Sequence, residues 1–241
     1  MKIVEQSYEI ISLPKNLLQR IEIAGRTCYK SEDKIGCTMP QYVSEDVDFC
    51  SGIGKGCDDT ECHYHTSHKF TKMLLDRGHH AILEFGDITV RFITNRGVTH
   101  ELVRHRIGVS YAQESTRYVR YAGQMEFIRP VWCNENMIDM AWSELRKTRF
   151  LSPEFNWLHA CYQAEIAYSN LINEGWRPEQ AREVLPNSLK TEIVVKGNIR
   201  EWRHIFQLRC SKNAHPQIRA LMILLLNELK QRLPIVFDDI N

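Results

Sequence analysis

Apolar residues recur at helical spacing at Leu17, Ile21 and Ala24, which predicts an amphipathic helix over residues 14–28 with Pro14 near its first turn. The period then dissolves. From about 31 to 66 the chain carries Gly36, Gly52, Gly54 and Gly56 among scattered acids, and this predicts a long irregular segment, an insertion or a lid. Order returns at Phe70, Met73, Leu74 and Leu75, a helix expected to stop near Gly78, where a residue tolerant of positive φ follows the last periodic position. Residues 87–93 alternate Ile88, Val90 and Phe92 with Thr89, Arg91 and Ile93, the pattern of a strand. A helix is expected over 98–107, running into the polar stretch 110–117.

In the second half the pattern predicts a strand at 125–128, a long helix at 153–173, a short helix at 178–185 and a strand at 191–196. Helices at 198–208 and 216–233 complete the chain. Several helices and few strands, with no regular βαβ alternation, no repeat and no Pro- or Ser-rich linker, imply an α+β fold: a mixed or antiparallel sheet packed against helices. Within the last helix Ile218, Leu221, Met222, Leu224, Leu225 and Leu229 cover more than half the circumference. Burial in the core is the plainer expectation there, and packing between subunits the alternative.

Composition narrows the class. A chain of 241 residues suits one sizeable domain, or at most two small ones, and a single domain over residues 1–241 is the simpler reading. Lys and Arg total 31 against 30 Asp and Glu, so bulk charge gives no footprint for nucleic acid. The N-terminal residues lack the apolar run of a secretory signal, and the apolar stretch 221–226 falls far short of the ~20 residues that span a bilayer. Five of the eight cysteines lie within the first 62 residues, and a chain of this length needs no disulfide staples, so the default is a reduced, cytoplasmic protein with no membrane partner.

The densest chemistry lies in Glu101, Arg104, His105, Arg106, Ser110, Gln113, Glu114, Ser115, Thr116, Arg117 and Tyr118. Were 101–107 helical, Glu101 and Arg104 would share a face, whereas Arg104 and Arg106 would point about 200° apart and serve different partners. Guanidinium forks beside hydroxyls and amides suit an anionic ligand with hydrogen-bonding edges, such as a nucleotide. A solvated helix end with Arg–Glu pairs is the bland alternative from the residues alone.

The run Arg104-His105-Arg106, followed by Ser115 and Arg117-Tyr118, resembles the signature of the flavin-dependent thymidylate synthases, in which Arg-His-Arg precedes Ser by seven intervening residues. Here eight residues intervene between Arg106 and Ser115, one more than in the signature. The segments 24–29, 78–85, 181–186, 198–204, 208–209 and 214–219 are also similar to that family, with two departures: Ala81 stands where Ser or Thr is usual, and Phe85 where His is usual.

The resemblance implies a homotetramer that methylates dUMP with 5,10-methylenetetrahydrofolate as one-carbon donor and a hydride from NADPH-reduced FAD. Carried over residue by residue, it implies FAD held around His79, Ala81, Arg104, His105, Arg106, Gln113, Asn198, Arg200 and His204. It implies dUMP held by Glu101, Arg104, Gln113, Glu114, Ser115, Thr116, Arg117, Arg182 and Arg209. Arg209 would be the catalytic group, an electrostatic activator of the uracil ring, since guanidinium does not give up its proton. Ser115 has no evident base beside it and is expected on phosphate.

Three further readings stand beside this one. Cys210, next to Arg209, invites comparison with the cysteine nucleophile of the folate-only thymidylate synthases, but a lone Cys after an apolar helix is usually packing. Cys50, Cys57, Cys62, His63, His65 and His68 could ligate zinc, yet their spacing builds no paired knuckle, and no metal is expected. Arg104, Arg106, Arg117 and Arg120 interleaved with Tyr111, Tyr118 and Tyr121 would suit single-stranded nucleic acid, which near-zero net charge disfavours.

Overall fold

The computed structural model describes residues 1–36, 66–121, 123, 125–135 and 152–240. Its strands are β1 (Lys2–Val4), β2 (Ser7–Ser12), β3 (Asp87–Asn95), β4 (Val109–Gln113), β5 (Glu126–Ile128) and β6 (Lys190–Asn198). The helices are α1 (Leu17–Tyr29), α2 (Thr66–Asp76), α3 (Arg96–Leu102), α4 (Pro153–Asn173), α5 (Pro178–Ala181), α6 (Ile199–Arg209) and α7 (Pro216–Arg232). Among the described residues no helix is long and apolar enough to cross a membrane.

The α+β expectation holds. Four strands form an antiparallel sheet in the order β2-β3-β6-β4, while β1 and β5 make a separate parallel pair. Strict alternation places Ile88, Val90 and Phe92 of β3 and Ile193 and Val195 of β6 on one buried face, against Leu17 and Ile21 of α1, Leu74 of α2 and the apolar rows of α6 and α7. Trp202 of α6 is fully buried there. Its indole donates to Ile88 O at 3.1 Å and stacks on Phe206 at 5.6 Å, which fixes α6 over the sheet. A second cluster around Phe127, Leu158, Cys161 and Tyr168 joins α4 to the β1–β5 pair.

Most predicted elements appear, with informative exceptions. The helix expected over 98–107 ends at Leu102, because the Tyr111 hydroxyl shares its one proton between the carbonyls of Leu102 and His105, at 2.6 and 2.8 Å, and turns the chain toward β4. Arg104 therefore sits in a turn, and the 200° relation between Arg104 and Arg106 does not apply. The stretch read as polar from 110 begins with β4, and β1 and β2 carry pairings that no period announced. Of the irregular segment, residues 32–34 form a short 3-10 turn, and 37–65 lie outside the described residues along with Cys50, Cys57, Cys62, His63 and His65. On α7, Leu221, Met222, Leu225 and Leu229 are buried within the chain, whereas Leu224 is 57% exposed.

Candidate active site

Two junctions converge beside the sheet. The first runs from α3 through Val103–Gly108 into β4, and the second from the end of β6 into α6. Asn198 closes the second: its Oδ1 accepts from Glu201 N at 2.8 Å as the N-cap of α6, while its own N–H donates to Gly108 O at 3.1 Å. Gly108 has φ of 67°, and a Cβ built on it would lie 2.0 Å from Asn198 Nδ2. Glycine is required there on both counts. Ile107 and Gly108 form a turn into β4.

Between the junctions runs a chain of polar contacts. Arg209, at the end of α6, donates from Nη1 to Glu101 Oε2 at 2.7 Å, from Nη2 to Glu101 O at 2.9 Å, and from Nε to His105 Nε2 at 3.1 Å. The other ring nitrogen of His105 meets Glu201 Oε1 at 3.1 Å, and His204 lies edge-on to the same ring at 5.6 Å. The His105 residue is 5% exposed. Burial, then the charges of Arg209 and His204, push its imidazole from 6.5 down to about 4, so the ring is neutral at neutral pH. Burial raises the Glu201 carboxyl above its ordinary value, partly offset by His204 and Arg200.

That shift predicts an acid sensitivity. Unfolded His105 protonates near 6.5 whereas the folded ring resists until about 4, so the folded state binds fewer protons in that window and loses stability as the pH falls through it. Urea unfolding at pH 7 and pH 5 should show a loss on the order of 1–2 kcal/mol that is absent from His105→Gln. Equal pH dependence in the two proteins would refute it.

A cavity of about 430 Å³ opens at this place, lined by His80, Glu84, Asn198, Arg200, Glu201 and His204 among others. Arg200 Nη1 bonds Glu84 Oε1 across it at 2.7 Å. Small-molecule sites span roughly 300–1,000 Å³, so the cavity admits a fused ring system or a diphosphate but not a whole dinucleotide. Its donors, a guanidinium, imidazoles and an amide, match diphosphate oxygens and the acceptor edge of a flavin ring. Glu101 also lines a second cavity of about 350 Å³ with Trp132, Trp157 and His215.

Of the residues singled out in the sequence, Arg209 bonds both Glu101 and His105, and Asn198, Arg200 and His204 line the larger cavity. His79 caps the end of α2 and bonds Tyr29 Oη at 2.7 Å, with exposed Ala81 second in the 3-10 turn that follows. Arg104 and Arg106 are exposed and make no side-chain hydrogen bond among the described residues. The Gln113 amide is already engaged, donating to Thr99 Oγ1 at 3.0 Å and reaching Thr191 Oγ1 at 3.4 Å. Glu114 accepts from Tyr121 Oη at 2.7 Å, Ser115 Oγ accepts from Arg117 N at 3.3 Å, and Thr116 is buried. Arg117 packs over the Tyr118 ring. Arg182 follows α5 and lies beside Glu183 at 3.6 Å, outside the Arg209 hydrogen-bond chain.

Sequence reasoning missed Glu201, Glu84 and His80, and read Tyr111 as a stacking ring rather than as the hydroxyl that turns the chain after α3. Glu84 was in view within a recognised segment, and Glu201 adjoins Arg200. Only the meeting of the two junctions shows what they touch. His105, Glu201 and His204 each bring a ligand atom within 4.8 Å, a spacing open to a metal ion. Arg209 already takes the His105 Nε2 lone pair and places a fixed positive charge beside it, which favours a hydrogen-bonded relay over cation binding. Cys210 is 4% exposed, and burial pushes its thiol up to about 11, so it holds no thiolate at neutral pH. Cys210→Ala should keep turnover within about twofold of the parent, as a steady-state assay would show; a 100-fold loss would reinstate the cysteine.

The chain is similar to known proteins. The sequence profile of the thymidylate synthase complementing protein matches residues 9–235. The chain is 33% identical over 224 residues to a flavin-dependent thymidylate synthase of Corynebacterium efficiens, covering 91% of this chain and 78% of that one. It is 37% identical over 171 residues to the enzyme of the same name from Geobacter sulfurreducens, covering 70% and 68%. Its fold is similar to the crystal structure of the UMP/dUMP methylase PolB from Streptomyces cacaoi bound with 5-Br dUMP, at TM-score 0.67 and 18% identity, over 99% of this chain and 96% of that one.

Proposed function

The chain belongs to the family of the thymidylate synthase complementing protein, the flavin-dependent thymidylate synthases, and on that premise we propose that it methylates dUMP at C5, with 5,10-methylenetetrahydrofolate as carbon donor and NADPH as reductant. The observation that carries the reading is the Glu101–Arg209–His105 chain beside a cavity whose donors suit a flavin.

FAD, when bound, supplies the hydride that completes the methyl group. Asn198, Arg200 and His204 line its cavity, and His79, Ala81, Arg104, His105, Arg106 and Gln113 are assigned to the cofactor by the family resemblance. Of the five guanidinium N–H groups of Arg209, three are engaged within the chain, which leaves one on each terminal nitrogen to meet a uracil carbonyl. Those two donors stabilise negative charge growing on the pyrimidine, and their anchoring to Glu101 and His105 fixes them before the reaction begins. Ser115, Thr116 and Arg117 lie on the turn after β4, where backbone, hydroxyl and guanidinium donors receive the phosphate with Glu114 alongside.

The cavity takes only part of FAD, Arg104 and Arg106 are exposed, and Arg182 pairs with Glu183 rather than joining the Arg209 chain. These observations support a homotetramer whose sites draw arginines from neighbouring subunits. Buried free thiols at Cys133, Cys161 and Cys210 fit a reducing, cytoplasmic setting.

The test is a visible spectrum of the purified protein reconstituted with FAD. Bound flavin should bleach on addition of NADPH under anaerobic conditions and recover its colour when dUMP and the methylene donor follow. A protein that binds no flavin would overturn the reading.

A further inference from the structure

We infer that Glu201 is a positioning residue for Arg209, acting through the buried ring of His105. An arginine Nε only donates, so at 3.1 Å His105 Nε2 must be the accepting nitrogen and the ring proton must lie on Nδ1. Glu201 Oε1, 3.1 Å from Nδ1, accepts from that N–H and so selects the tautomer that Arg209 requires. In the other tautomer two N–H groups would face one another across the same distance, and the fork would leave Glu101.

Every part of the relay is held from elsewhere. The backbone N–H of Glu201 is capped by Asn198 Oδ1 at 2.8 Å, and its carboxylate stands in the first turn of α6, where the helix dipole favours negative charge. The carbonyl of His105 accepts from Tyr111 Oη at 2.8 Å, which fixes the backbone carrying the ring. The charges that also face Glu201 are those of Arg200 and His204. Its effect on the reaction therefore travels through His105, the arrangement by which outer carboxylates orient imidazoles elsewhere.

The inference rests on the role given to Arg209 above, so the experiment has one arm that does not. In flavin-loaded protein carrying ¹⁵N-histidine, the His105 signals, identified by their loss in His105→Gln, should show Nδ1 protonated and Nε2 bare. Glu201→Leu removes the acceptor at similar volume and should give mixed tautomers. At saturating FAD, which offsets any loss of flavin affinity because Glu201 also lines the cavity, its kcat should fall about 10- to 100-fold with KM for dUMP close to that of the parent. Glu201→Gln retains an acceptor oxygen and should recover the tautomer and most of kcat. Should the leucine variant not fold, Glu201→Ala answers the same questions.

An unchanged single tautomer in the leucine or alanine variant overturns the inference, as does a mixed tautomer with full kcat. If the parent protein itself fails to turn over dUMP, the proposed function falls, and the tautomer comparison still decides the positioning claim.

Discussion

Replacing Arg209 by alanine is expected to lower turnover of dUMP about 100- to 1,000-fold while the protein keeps its flavin colour. The guanidinium is held by three acceptors, Glu101 Oε2, Glu101 O and His105 Nε2, and does not line the cavity assigned to the flavin. Its loss removes donors from the developing charge without emptying the cofactor site. Stability should fall only modestly, since the stranded carboxylate of Glu101 is 28% exposed and regains water. Lysine should not restore the rate, because an ammonium group cannot reach three acceptors and a carbonyl in one plane. Steady-state kcat together with the flavin spectrum checks each part.

Gly108→Ala should destabilise the protein by about 2–3 kcal/mol and strip it of flavin. A side chain at φ 67° costs about 1 kcal/mol or more, and the added Cβ, 2.0 Å from Asn198 Nδ2, forces that side chain out of place. With it goes the N-cap of α6, worth about 1 kcal/mol, and the Asn198 side chain that lines the cavity. In an Asn198→Ala background the clash disappears, so the second substitution should cost only the backbone strain, about 1 kcal/mol. Urea unfolding of the four proteins measures the coupling; simple additivity would show that the close approach carries no energy.

How much of this was legible in the chain depends on whether local pattern or distant contact set the outcome. The long helix α4 could be read because Ser152 caps it, Pro153 begins it, and its buried positions Phe155, Leu158, Cys161, Glu165 and Tyr168 keep helical spacing. Strand β3 was plain from its alternation, each second residue being buried. Strand β2 was hidden, since Ile11, 51% exposed, breaks the alternation of Tyr8 and Ile10. The end of α3 was misjudged because its cause, the Tyr111 hydroxyl, comes from the next strand. Within the site, residue type and motif found Glu101, His105, Asn198, Arg200 and Arg209. Glu201 stayed hidden because its significance lies in an imidazole 96 positions away in sequence.

The central claim, that the Arg209 donors activate a uracil ring beside a flavin, is tested most directly with dUMP tritiated at C5. Tritium should pass to water only when protein, NADPH, FAD and the methylene donor are all present, and its release should fall with turnover in Arg209→Ala. Tritium kept at C5 while NADPH is consumed and dUMP remains unmethylated would contradict the account, as would equal release by the alanine variant.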